Sequence, residues 1–182
     1  MTARGSLPGD RFAVAREVLA ELPCPVVVIG AGAGTERSCA TGTAMYVSFS
    51  PPALAIAVHP GSRTCRLIES SGEFSISLLA EDQAEVADAA GRSAPGDDKF
   101  ATVGLQVIES DGAAPPAVDG VPLAAWCRVT HRHPVGDHIV FIGEIVDHRR
   151  APDPAPPLLR QRRRYVRRGD WLSDEHPDGY PT

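Results

Sequence analysis

Two long segments in the second half of the chain constrain its fold most. Leu123 to His133 and His138 to His148 each read as extended and apolar on both faces, and Pro134-Val-Gly-Asp137 joins them. Two strand-like runs separated by a short link containing glycine predict a β-hairpin. The rest of the chain follows the same pattern. Pro25 to Gly30 is a β-branched run that predicts a buried strand, with a turn over Gly30 to Gly34. Thr43 to Ser50 predicts another strand, closed by Pro51-Pro52, and Ala53 to Val58 a further one. Glu73 to Leu79 alternates polar and apolar residues, which predicts a strand with one wet face.

The helical signals are short. Val14, Val18 and Leu22, widened by Ala15 and Leu19, predict a helix from Asp10 to Leu22, capped by Asp10 and stopped by Pro23. Ser62 to Ser70 predicts a second, with Cys65 and Ile68 or Leu67 inward and Gly72 ending it. Glu81 to Ala90 predicts a third, followed by Gly91. Residues 91–122 are rich in Gly, Pro, Asp and Ala and read as loops around a short strand at Leu105 to Ser110. Strands outnumber helices and the βαβ rhythm of a parallel sheet is missing. The expected architecture is mainly β, an antiparallel Greek-key barrel with peripheral helices.

Length and composition fit one domain of residues 10–150, a flexible N-terminus of residues 1–9, and a C-terminal extension of residues 151–182. The extension opens with four prolines between Ala151 and Pro157 and continues with six arginines between Arg160 and Arg168. We expect it to pack partly on the barrel or on a dimer mate. Residues 1–148 carry 10 basic and 18 acidic side chains, whereas residues 149–182 carry 8 basic and 5 acidic ones. An acidic body argues against a nucleic-acid partner, and the arginine run lacks the repeated interleaved aromatics of a nucleic-acid surface, with Tyr165 its one ring. The arginine run reads as a solvated segment, as a grip on nucleotide phosphates, or as a contact for an acidic patch on a dimer mate.

No apolar stretch is long enough to cross a membrane. Met1 to Asp10 lacks the apolar core of a signal peptide. Cys24, Cys39, Cys65 and Cys127 are scattered without a C-x-x-C pair, so no zinc or redox motif is expected, and a cytoplasmic protein with reduced thiols is the economical reading. His131 and His133 share a strand face, but no third metal ligand is suggested nearby.

Val26-Val-Val-Ile-Gly30-Ala-Gly32-Ala-Gly34 looks like the opening of a dinucleotide-binding βαβ unit. Thr35 stands where the third glycine belongs. The residues after it have no apolar helical period. No acidic residue closes a second strand about 20 residues on, where Pro51-Pro52 falls. A flexible hairpin loop between strands is the better expectation.

Four stretches, in order, carry a resemblance. They are Ala40-Thr-Gly-Thr-Ala-Met-Tyr-Val-Ser-Phe-Ser-Pro-Pro52; Val58-His-Pro-Gly-Ser-Arg-Thr64 with Leu67-Ile-Glu-Ser-Ser-Gly-Glu-Phe74 and Leu78-Leu-Ala-Glu-Asp-Gln83; Asp98-Lys-Phe100; and Trp126-Cys-Arg-Val with Gly136-Asp-His138 and Gly143-Glu144. Together, over residues 12–170, they resemble the flavin reductase family, the small partners of two-component flavin monooxygenases. The resemblance implies an FMN-binding split β-barrel, a homodimer, and NADH or NADPH as co-substrate.

The resemblance and the residue chemistry together nominate a site. Thr41, Gly42, Thr43, Ala44 and Ser48 would line the flavin, which needs backbone donors for its ring and hydroxyls or cations for its phosphate. His59, Pro60, Ser62, Arg63 and Thr64 stand at a helix start suited to a phosphate. Lys99 and Phe100 would approach the cofactor. His138, with Asp137 fixing its loop, would sit where the nicotinamide stacks, and Tyr165 would join it there. Each stretch also has a plain structural reading: strand threonines facing outward, a Ser helix cap, a Gly-Asp turn, a solvated lysine. In this chain Gly42 and Ala44 replace the side-chain donor and the aromatic usual in the family.

The expected activity is hydride transfer from NAD(P)H to FMN or FAD, supplying reduced flavin to a monooxygenase. The alternatives are an FMN-retaining oxidoreductase acting on another small organic substrate, and a non-catalytic flavin-binding or interaction protein.

Overall fold

The computed structural model describes residues 17–108 and 114–170. The expected N-terminal segment, most of the Asp10–Leu22 helix, the end of the Leu105–Ser110 strand and the last twelve residues of the extension lie outside the described residues. Within them, the first element is a single 3-10 turn, Leu19–Glu21.

Seven strands form one antiparallel sheet: β2 (Val27–Ala33), β3 (Glu36–Gly42), β4 (Ala44–Phe49), β5 (Pro52–Val58), β6 (Glu73–Leu78), β9 (Leu123–Val135) and β10 (His138–Arg150). Their order is β3-β2-β6-β9-β10-β5-β4, and the sheet curls far enough for β3 to approach β5. A second sheet joins β1 (Cys24–Pro25), β11 (Leu159–Gln161) and β12 (Arg164–Val166), and β7 (Val107–Ile108) pairs with β8 (Ala117–Val118). Among the described residues three short helices sit outside: α1 (Arg63–Ser71), α2 (Ala84–Gly91) and α3 (Lys99–Thr102). The fold is mainly β, of the split-barrel type with peripheral helices, as the strand-rich reading requires.

The run from Val26 to Ala31 shows why the sheet has two cores. Val27, Ile29 and Ala31 join one cluster with Ile56, Ile68, Phe74 and Phe141. Val26 and Val28 join the other, with Leu79, Phe100, Trp126 and Leu158. Alternate residues on a strand point to opposite faces. A strand covered on both sides therefore reads as a continuous apolar run.

Four expectations need correction. The chain does not turn at Gly30: β2 runs on to Ala33, and the reversal comes at Gly34-Thr35. A Cβ on Gly30 would lie 2.1 Å from the Pro116 carbonyl oxygen and 2.4 Å from Ser75 Oγ, so the glycine serves close packing rather than a loop. Glu73–Leu78 has no wet face, because the 114–118 segment covers it. There Ser75 Oγ donates to Pro116 O at 2.6 Å, and Ser77 Oγ accepts from Val118 N at 2.9 Å. The β9–β10 hairpin has two buried faces only near its base at Ala124–Cys127, and residues 130–138 are exposed. The expected Leu105–Ser110 strand is reduced, among the described residues, to Val107–Ile108.

Candidate functional site

The site is assembled where β3 gives way to β4. β3 pairs with β2 up to Gly42↔Val27, and β4 pairs with β5 from Ala44↔Ile56. Thr43 falls between, in neither ladder, and is exposed. Beside it opens a cleft of about 550 Å³. That volume lies within the roughly 300–1,000 Å³ usual for small-molecule sites. Thr41, Gly42 and Thr43 form one wall, with Ala57 from β5 and His138 from the start of β10. Leu19, Ala20 and Leu22 with Cys24–Val26 form another, and Arg160 to Arg163 close the third.

Local structure fixes each group. Thr41 Oγ1 donates to the Ala87 carbonyl of α2. Gly42 lies against the core, and a Cβ there would meet Ile29 Cδ1 at 2.7 Å. Gly136, in the left-handed region at φ 58°, turns the β9–β10 hairpin and delivers Asp137-His138 to the rim. Asp137 Oδ1 lies 2.8 Å from His138 Nδ1. The hydrogen bond from His138, and then its charge, hold the Asp137 carboxyl below the usual carboxylate range. In the neutral ring this contact places the proton on Nδ1 and leaves Nε2 as an acceptor. His59 stands edge-on to His138 with ring centroids 6.3 Å apart, and its Nδ1 accepts from Gly61 N at 3.1 Å. Hence neutral His59 carries its proton on Nε2.

The remaining candidates are placed elsewhere. Ser62 caps α1, accepting from Cys65 N, and Gly72 ends the helix in the left-handed region. Pro60 is exposed in the turn before it. Thr64 is buried, 3.0 Å from Ser38 Oγ on β3. Ser38 is three residues from Thr41, so this helix start is about 10 Å along the strand from the cleft wall. The Arg63 guanidinium is held by the carbonyls of Gly96 and Asp97, the Asp97 carboxylate and Glu36. Lys99 is half-buried and donates to Cys39 O and Ala90 O, both at 2.8 Å, with burial lowering its pKa. Phe100 is inside the second core cluster. Ala44 packs against the first cluster, and Ser48 follows a bulge in β4. Tyr165 turns away to donate to Asp88 Oδ1 at 2.9 Å.

Sequence reasoning missed Leu19–Pro25 as lining of the cleft and left the arginine run open between solvent, nucleotide phosphates, the barrel and a dimer mate. No local signal marks the first. The second follows from the pairing Cys24↔Arg160, which packs the arginine hairpin on its own chain. The cysteines are free thiols, and burial pushes Cys39 up to about 11 and Cys127 to about 12. Among the described residues no three His, Cys, Asp or Glu side chains converge as metal ligands, and no helix is long and apolar enough to cross a membrane. His131 and His133 stack with ring centroids 6.0 Å apart.

Comparison with known proteins bears on this geometry. The chain is 31% identical over 150 residues to the NADH:riboflavin 5'-phosphate oxidoreductase of Streptomyces pristinaespiralis, covering 81% of this chain and 83% of the relative. It is 32% identical over 154 residues to the reductase component of the 4-hydroxyphenylacetate 3-monooxygenase of Thermus thermophilus, covering 84% and 93%. The solved NADH:FAD oxidoreductase of Streptomyces globisporus C-1027 superposes with a TM-score of 0.81 at 26% identity, covering 93% of this chain and all of that one. Residues 19–169 match the "Flavin reductase like domain". That span runs from the first turn of the cleft to the end of the arginine run, so the chain belongs to the flavin reductase-like domain family.

Proposed function

We propose that the protein is an NAD(P)H:flavin oxidoreductase, taking hydride from NADH or NADPH to FMN or FAD and yielding reduced flavin for a separate monooxygenase. The observation that carries this is the shared cleft: the strand junction at Thr41–Thr43, with Thr43 in neither ladder, and the Asp137-held His138 line one cavity of small-molecule size. Relatives named as NADH-dependent FMN and FAD reductases support it.

The residues present fit a flavin. The exposed Thr43 backbone offers hydrogen-bonding groups not committed to either strand ladder, and the first turn of α1 offers the N–H groups of Arg63 and Thr64 to a phosphate. A bound flavin supplies the two-electron acceptor chemistry. The chain supplies position, because hydride transfer needs close stacking of two rings rather than a strong acid or base. His138 Nε2 accepts a hydrogen bond from a nicotinamide carboxamide, and Asp137 holds the imidazole in the tautomer that allows it. Thr41, tied to α2, and Gly42, tied to Ile29, keep the wall rigid.

The enzyme acts as a cytoplasmic homodimer. β4 is a sheet edge that exposes Met45, Tyr46, Val47 and Phe49, an apolar strip suited to a second copy. The decisive experiment mixes purified protein with NADH or NADPH and FMN, FAD or riboflavin and follows nicotinamide absorbance. Flavin-dependent oxidation is expected, and rates at background with every pair would remove the reading.

A further inference from the structure

The arginine hairpin lines the cleft with three arginines, of which only Arg162 is paired with an acidic group among the described residues. β11 and β12 pair Gln161↔Arg164, so Arg162 and Arg163 form the two-residue loop between them. Both are in the left-handed region, at φ 50° and 63°. Two-residue hairpin loops of this kind are dominated by Asn-Gly and Asp-Gly, and a bulky residue there strains the backbone. The loop is nevertheless locked in place. Arg162 N donates to Ala20 O at 2.7 Å, Gln161 Nε2 donates to Glu21 O at 2.8 Å, and Arg162 Nε contacts both Glu21 carboxylate oxygens.

Arg162 is thus neutralised by Glu21. Arg160 and Arg163 make no salt bridge or side-chain hydrogen bond with any described residue, and both line the cleft. Among the described residues no Asp or Glu lines it. In a protein of net charge −5, two arginines without a salt-bridge partner among the described residues thus line the cleft that Thr41–Thr43 and His138 also line, and the Arg160 charge reaches Tyr165 as well.

Building on the reading of the cleft as a flavin and nicotinamide site, we propose that Arg160 and Arg163 bind the diphosphate of the incoming nicotinamide dinucleotide. Two guanidinium forks match two adjacent phosphoryl groups in charge and in hydrogen-bond geometry. The flavin phosphate has a separate place at the start of α1, outside this cleft. The Arg-Arg loop, tied to Ala20 and Glu21, holds Arg163 on a fixed turn beside the cleft. Phosphate contacts made equally in the ground state and the transition state lower KM without raising kcat.

The test uses three proteins: the parent, Arg163→Gly, and the double variant Arg160→Gln/Arg163→Gly. Glycine suits the left-handed position, so Arg163→Gly is expected to keep or raise the unfolding midpoint, which separates lost recognition from lost folding. Steady-state reduction of riboflavin and of FMN is measured with NADH and with reduced nicotinamide riboside, which has no phosphate. The double variant should raise KM for NADH about tenfold or more with kcat within about twofold of the parent. KM for reduced nicotinamide riboside should not move, and the parent's salt dependence of KM for NADH should flatten. An unchanged KM for NADH in the double variant overturns the proposal. So does a selective loss of FMN relative to riboflavin, which would assign the arginines to the flavin phosphate. Failure of the parent to oxidise NADH with any flavin sinks the functional reading instead.

Discussion

Gly30→Ala is the perturbation that separates a packing glycine from a nucleotide-binding one. The new Cβ would stand 2.1 Å from Pro116 O, a backbone atom, where an ordinary carbon–oxygen contact is about 3.3 Å. The 115–118 segment must move by about 1 Å to admit it. That segment is anchored at three points: Trp126 Nε1 donates to Pro115 O at 2.8 Å, Ser75 Oγ to Pro116 O at 2.6 Å, and Val118 N to Ser77 Oγ at 2.9 Å. Losing the Ser75 bond alone leaves a fully buried hydroxyl unsatisfied, at about 1–3 kcal/mol. The overpacking adds about 1–3 kcal/mol. The expected loss is about 2–6 kcal/mol, whose middle corresponds to roughly 10 °C in Tm for a chain of this size. Gly34→Ala is the control. It has the left-handed φ of 58° but no atom within 4 Å of the added methyl, so it should lose only about 1 kcal/mol. Urea titrations of the parent and both variants give the comparison. A Gly30→Ala protein as stable as Gly34→Ala, but with weakened dinucleotide binding, would refute the packing argument and revive the phosphate-loop reading of Gly30-Ala-Gly32.

Other substitutions probe the remaining links. Asp98→Ala removes both the cap of α3, which accepts from Ala101 N, and the Arg37 contact; it should lose about 2–3 kcal/mol near neutral pH by denaturant titration. Burial pushes the Asp98 carboxyl up, but the Arg37 and Ala101 hydrogen bonds and the Arg37 charge outweigh it and hold the group below its ordinary value. Its contribution is therefore complete above the ordinary carboxylate range and lost as pH falls through the lower folded value, so the gap between parent and variant should close in acid. Lys99→Met breaks two bonds to carbonyls and should lose about 1–3 kcal/mol while flavin affinity stays within about twofold; a selective loss of flavin binding would instead put Lys99 at the cofactor. Asp137→Asn and His138→Ala should lower kcat/KM for NADH by about tenfold without moving Tm, since both groups are exposed at the hairpin tip; unchanged kinetics would remove them from the site. Phe49→Asp on the β4 edge should shift the protein to monomer in light scattering, and an unchanged mass would place any interface elsewhere.

The strands of the barrel were readable because their side chains have a period that water and the core enforce. The Ala53–Val58 run and the two arms of the β9–β10 hairpin fall where alternation and turn residues place them. The misreadings share one physical origin. Ser75 and Ser77 look like a solvent face by chemistry, yet a segment forty-one residues away supplies their hydrogen-bond partners. Gly30 and Gly32 look like a turn, yet the neighbouring backbones lie so close that only glycine fits within β2. In both cases the deciding contact is remote in sequence, and local propensity holds no record of it.

The site divides along the same line. The Gly136-Asp137-His138 corner is local, and its chemistry can be read from three consecutive residues. The opposite wall is not local. Cys24 pairs with Arg160 across more than 130 residues, and only that pairing turns a basic stretch into part of a cleft. Composition alone would assign six arginines to solvent or to a polyanion. The fold instead neutralises Arg162 with Glu21 and sets Arg160 and Arg163 among the residues that line the cleft. A charge on a solvated tail is screened within about 8 Å at physiological salt. The same charge on a pinned hairpin beside a partly enclosed cleft would meet a ligand bound there at contact distance. Position, which the sequence encodes only through long-range pairing, decides between those two outcomes.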